Sequence, residues 1–141
     1  MNLNILKHAV DYGILCFLAI LSIISFAIFL ERTFYYKKAR NLTFNTKEDL
    51  EIELTKYLTF LGSIASNAPY IGLLGTVLSI MITFERMSYS HISVPKITDS
   101  LALALKSTAA GIVVAVMSMF FYNILLRKVE IILKQHKNEK I

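Results

Sequence analysis

Cysteine, proline and histidine are scarce in this 141-residue chain, and charge is missing altogether from three long stretches of it. The single cysteine, Cys16, excludes an internal disulfide and reads as a small packing residue within an apolar run. His8, His91 and His136 are scattered, and no C-x-x-C or H-E-x-x-H spacing offers a metal site. The pattern G-x-x-x-x-G-K-[ST] is also missing: Gly72 to Thr76 superficially resembles a phosphate loop, but it lacks the lysine and lies in an apolar helix. With the usual catalytic constellations gone, the chain reads as neither an enzyme nor a carrier of metal or cofactor.

Apolar residues make up 55% of the chain and its mean hydropathy is +0.57, too oily for an ordinary soluble domain. The charge-free gaps run from Tyr12 to Leu30, Tyr57 to Phe84 and Ser107 to Leu126, each long enough to cross a hydrocarbon core of about 30 Å as a helix. The expected architecture is an all-α integral membrane protein, a single unit over 1–141, with spans at about 12–30, 68–87 and 100–126.

Basic residues give the sidedness. Arg32, Lys37, Lys38, Arg40, Lys47 and Lys56 lie between the first two spans, and Arg127, Lys128, Lys134, Lys137 and Lys140 follow the third. Only Lys7, Arg86, Lys96 and Lys106 fall on the other side. Cytoplasmic segments keep the basic excess, so the N-terminus is expected outside and the C-terminus inside, with cytoplasmic helical extensions at about 31–66 and 127–141. A pI near 9.4 then follows from topology without a nucleic-acid partner, and the clusters Lys37 to Arg40 and Arg127 to Lys128 are placed to meet anionic lipid. Lys7 and Ser25-Phe26-Ala27 faintly suggest a cleaved leader. The apolar run exceeds the usual signal core of about 7–15 residues and the stronger basic cluster follows it, which favours an uncleaved anchor.

No proline or glycine interrupts Arg32 to Arg40, so the first helix is expected to continue into the cytoplasm, with a turn over Asn41 to Thr46. Thr46 and Asp49 form a capping-box-like start, followed by Leu50, Leu54, Tyr57, Leu58, Leu61 and Ala65 at helical spacing. Asn67 and Pro69 predict a restart, and Thr98 or Asp99 the beginning of the third helix.

Two stripes of small and hydroxyl residues stand out. Gly72, Gly75, Thr76, Ser79 and Thr83 share one face of the second span, and Ala104, Thr108, Gly111, Ala115, Ser118 and Tyr122 one face of the third. In lipid such faces mark where a helix meets protein or water. Close packing, with each threonine bonding its own helix, accounts for either stripe alone. Two matched stripes favour a shared polar surface, on which Thr76 and Thr108 are the candidate proton-path residues. No acid or base lies well inside a span; Lys106 comes nearest and can snorkel outward. If the chain uses an ion gradient, a partner must therefore bring the carboxylate.

The stretches APYIGLLGTVLSIMITF at Ala68 to Phe84 and LALALKSTAAGIVVAV at Leu101 to Val116, with Tyr122-Asn123, resemble the ExbB/TolQ/MotA family of proton-channel and motor subunits, the ExbB branch above all. The resemblance covers the whole chain in topology, and the family threonines fall on Thr76 and Thr108. It implies a homo-oligomeric ring, five copies in number, in the bacterial inner membrane. The ring would enclose helices of an ExbD-like partner with one intramembrane aspartate, and the complex would energise a TonB-like protein for uptake of iron-siderophores or metals. Where many relatives carry a glutamate five residues before the third-span threonine, this chain has Leu103, with Asp99 one turn earlier as an outer-mouth acid or, the favoured reading, a helix cap. A TolQ-like role in envelope integrity and a small self-contained transporter are the alternatives; the second would need its own intramembrane charge.

Overall fold

A computed structural model describes residues 2–39 and 46–139, and among these every regular element is helical. α1 spans Leu3–Ala39, α2 Lys47–Thr55, α3 Leu58–Tyr89 and α4 Val94–Glu139. At about 1.5 Å per residue α4 is roughly 70 Å long, more than twice a hydrocarbon core. Three helical stretches, Leu3–Ala39, Lys47–Tyr89 and Val94–Glu139, are long and apolar enough to cross a membrane.

The buried positions repeat every seven residues in alternating steps of three and four. On α3 these are Leu58, Leu61, Ala65, Ala68, Gly72, Gly75, Ser79 and Ile82; on α4, Ala104, Ser107, Gly111, Val114, Ser118, Phe121 and Leu125. On α1 the series Asp11, Leu18, Ser25, Arg32 and Ala39 is buried at strict sevens. A seven-residue repeat keeps one seam facing its neighbour and produces shallow, coiled-coil-like crossings, here between antiparallel α3 and α4 with α1 laid across both. The outward faces carry large exposed apolar side chains such as Phe17, Ile23, Leu73, Met81, Val113 and Phe120, which need lipid or another protein surface.

Where α2 ends, two α1 side chains take over its free carbonyls. Arg32 Nη1 donates to Glu53 O at 3.0 Å and Tyr36 Oη to Leu54 O at 2.6 Å. These are last-turn carbonyls that a helix end leaves without N–H partners, so the break at Lys56–Tyr57 is satisfied from outside. The Arg32 guanidinium also lies over the rings of Tyr35 and Tyr57, 4.7 and 4.6 Å from their centroids. Around this junction Leu50, Leu54, Leu58, Leu61, Leu125 and Val129 form one apolar cluster with Tyr36.

One boundary expectation holds and two change. Thr46 caps α2, its hydroxyl accepting the Asp49 N–H at 3.1 Å, but the rest of the predicted turn, 41–45, lies outside the described residues. No restart occurs at Asn67 and Pro69: α3 runs through both. Asn67 Nδ2 donates to Ser63 O at 2.9 Å and so serves the helix already running rather than capping a new one. α4 starts at Val94, earlier than Thr98 or Asp99, with Ile97 N–H bonded to Ser93 O at 3.3 Å and Pro95 fitting the first turn. Asp99 is therefore an exposed residue inside the helix and not its cap.

Candidate functional site

The site begins at a glycine contact. A Cβ on Gly72 would stand 2.5 Å from Ser107 O, and one on Gly111 would stand 2.6 Å from Ala68 O and 3.0 Å from the Gly72 Cα. All of these are backbone atoms, so only glycine at both positions lets α3 and α4 approach this closely. Gly75 makes room on the other flank, where a Cβ would meet Ile14 of α1 at 2.9 Å.

That approach brings Thr76 and Thr108 together across the seam, their hydroxyl oxygens 2.5 Å apart. Thr76 Oγ1 also reaches Ala104 O at 2.9 Å and Gly72 O at 3.3 Å, and Thr108 Oγ1 reaches Gly72 O at 3.4 Å. Two hydroxyls have two protons for these acceptors, so the chain of bonds runs in one of two directions. Either Thr108 donates to Thr76 and Thr76 to Ala104 O, or Thr76 donates to Thr108 and Thr108 to Gly72 O. The first uses the shorter carbonyl contact. It leaves an acceptor lone pair on Thr108, which is only partly buried, while Thr76 is 7% exposed. In that direction Thr108 can accept a further hydrogen bond while Thr76 donates to Ala104 O.

Other polar side chains continue along the same interior. Toward one end Ser25 and Ser118 share a 2.8 Å hydroxyl contact. Toward the other, Ser107 Oγ is buried without a partner among the described residues, and Ser79 Oγ accepts from Lys7 Nζ at 3.2 Å. Lys7 also donates to Ser100 O at 3.3 Å and pairs with Asp11 at 3.4 Å. Gly72, Gly75, Ser79, Gly111, Ala115 and Ser118 are all buried within the chain's own bundle, whereas Lys106 and Asp99 are exposed. Among the described residues no group of histidine, cysteine or acidic side chains is disposed to hold a metal.

Sequence reasoning brought Thr76, Thr108 and the glycines to one seam but missed Lys7, Asp11, Ser25 and Ser107. Asp11, one residue before the first charge-free run, is fully buried. The i, i+4 spacing of Lys7 and Asp11 was the available signal.

The family description "MotA/TolQ/ExbB proton channel family" matches residues 29–138. The chain belongs to that family. An ExbB-like 2 biopolymer transport protein of Helicobacter pylori is 47% identical over 128 residues, covering 90% of this chain and 85% of its own. Biopolymer transport protein ExbB of Aquifex aeolicus is 44% identical over 125 residues, 88% of this chain and 84% of its own. The Tol-Pal system protein TolQ of Haemophilus influenzae is 36% identical over 103 residues, 72% of this chain but 43% of its own. The chain is accordingly a membrane protein of the ExbB/TolQ proton-channel type, and both hydroxyls of the seam lie within the matched region.

Proposed function

We propose that this chain is the ExbB-type subunit of a motor driven by the proton-motive force in the bacterial inner membrane. Copies assemble as a ring, five in number, around helices of an ExbD-like single-span partner, and the complex energises a TonB-like protein for uptake of iron-siderophores or metals. The observation that carries this reading is the Thr76–Thr108 pair, two bonded hydroxyls with no acidic side chain bonded to them among the described residues. Asp11, the buried acid among the described residues, is already committed to Lys7. A proton arriving at the threonines needs a carboxylate from elsewhere, which is what a partner aspartate would supply.

The exposed apolar faces of α1, α3 and α4 support assembly, and the basic residues gathered around α2 and the end of α4 support a cytoplasmic location for that end. Residues 1–141 then act as one unit whose α1, α2 and α4 extensions stand in the cytoplasm. The higher identity to two ExbB-named relatives, 47% and 44% against 36% to TolQ, favours the uptake role over envelope maintenance. The test is purification of the tagged chain from native membranes in mild detergent, with mass spectrometry of what accompanies it. A single-span protein with an intramembrane aspartate, at a fixed ratio to five copies of the chain, is expected. A homogeneous preparation without such a protein would overturn the proposal.

A further inference from the structure

The far ends of α1 and α4 enclose a groove of about 290 Å³ that the proton-path reading does not use. Tyr36 and Lys37 line one wall, Lys128, Ile131 and Ile132 the other, and no lining residue is acidic. Neither lysine takes part in an ion pair among the described residues, whereas the neighbouring Arg127 is engaged by Glu130 at 3.7 Å. The Tyr36 hydroxyl is spent on Leu54 O and that of Thr33 on Phe29 O, so the polar character of the groove comes from the two ammonium groups and the Gln135 amide.

We propose that this groove binds the phosphate-bearing headgroup of an anionic phospholipid from the adjoining leaflet. The two lysines lie close to the membrane surface. Lys37 lies seven residues beyond Leu30, the last of the first charge-free run, and Lys128 two beyond Leu126. At about 1.5 Å per residue this places Lys128 about 3 Å and Lys37 about 10 Å past the hydrocarbon edge, so the pair brackets a headgroup layer about 5–8 Å thick, with Lys37 at its aqueous border.

The groove is also continuous with an apolar wall. On the α1 face that carries Lys37, one and two turns toward the bilayer from Thr33, stand Phe29 and Phe26; Phe29 stacks on Phe121 of α4 with centroids 4.6 Å apart, and Phe26 meets the same ring at 6.0 Å. Phe26 is 52% exposed, leaving aromatic surface for an acyl chain directly below the groove. Ile131 and Ile132 give the groove an apolar floor for the glycerol carbons. The volume is near the lower end of the range for small-molecule sites, about 300–1,000 Å³, and suits a headgroup better than a whole lipid. The inference needs only that the chain spans a membrane; it is independent of the partner and of which end faces the cytoplasm.

The experiment uses the full chain, purified in a neutral maltoside detergent, stripped of lipid and titrated with dioleoylphosphatidylglycerol or dioleoylphosphatidylcholine under native mass spectrometry. Phosphatidylglycerol is expected to bind saturably, one per chain, and phosphatidylcholine to bind weakly. Lys37→Gln with Lys128→Gln should weaken phosphatidylglycerol about 30-fold, from the usual contribution of a lysine at an anionic surface. Lys37→Arg with Lys128→Arg should retain it, and Lys47→Gln with Lys56→Gln, at the same end but outside the groove, should bind as wild type. Full binding by the groove variant, equal loss in the control, or equal affinity for phosphatidylcholine would each overturn the proposal. So would displacement of the lipid by millimolar glycerol phosphate, which would identify a soluble phosphate as the occupant.

Discussion

Lys7 and Asp11, one turn apart on α1, form an ion pair at 3.4 Å in which the carboxylate is fully buried and the lysine is 4% exposed. Both Asp11 oxygens lack a hydrogen-bond partner among the described residues, so Lys7 is their principal compensation. Lys7 in turn ties α1 to Ser79 of α3 and Ser100 of α4, which makes the pair a clamp at this end of the bundle. Removing one partner of a buried pair leaves a lone charge and costs about 3–5 kcal/mol, while replacing both by apolar residues is often neutral. Asp11→Leu alone should therefore lower the melting temperature of the detergent-solubilised chain clearly, and Lys7→Met with Asp11→Leu should restore most of it. Retained uptake in the double variant would also show that Asp11 carries no proton in the working cycle.

Gly111→Leu should disrupt the fold of the chain itself, because the new side chain enters the space held by Ala68 O and Gly72. Ile112→Leu, at an exposed position one residue round, should change stability by less than about 0.5 kcal/mol. Thermal unfolding compares the two; equal stability of Gly111→Leu and wild type would contradict the seam.

Burial pushes the Tyr36 hydroxyl up to about 12, against the opposing influence of Arg32. A raised value means the neutral phenol is favoured in the folded state. Its contribution is complete below about pH 10 and is lost as pH rises toward 12. The α2–α3 junction should thus be indifferent to pH in the physiological range and loosen in strong alkali. The tyrosinate absorbance of wild type minus Tyr36→Phe should titrate near 12; a midpoint near 10 would contradict the buried bond to Leu54 O.

The proposed sidedness is checked with Cys16→Ser and single cysteines at Ser90 or Asn138, treated with an impermeant thiol reagent on intact spheroplasts. Labelling is expected at 90 and not at 138. The reverse pattern would invert the topology.

Much of the fold is legible in the chain because a bilayer imposes a simple code: long charge-free runs become helices, and the Gly72, Gly75 and Gly111 positions mark their seam. The ends are less legible. Asn67 and Pro69 look like a start, but the side-chain amide of Asn67 reinforces the helix already running through Ser63. On α1 the repeat of Asp11, Leu18, Ser25, Arg32 and Ala39 has no common chemistry, so a scan for apolar or small-residue stripes passes over it. Ser107 escaped for a related reason: it sits one position from the Thr108 stripe and is buried beside Gly75 of α3, where Ile14 of α1 also approaches.

The most direct measurement of the central claim is energy-dependent uptake in Thr76→Val and Thr108→Val, read beside co-purification of the ExbD-like partner. Valine keeps the branched shape and removes the hydroxyl that bridges the two threonines and Ala104 O. A polar group left unmet in a dry seam costs about 1–3 kcal/mol, enough to slow a proton-coupled step roughly 5- to 150-fold. The account predicts a complex that still assembles but has lost most of its uptake, with Thr76→Ser and Thr108→Ser largely active. Full uptake in both valine variants would contradict it and leave the hydroxyl pair a packing contact between α3 and α4.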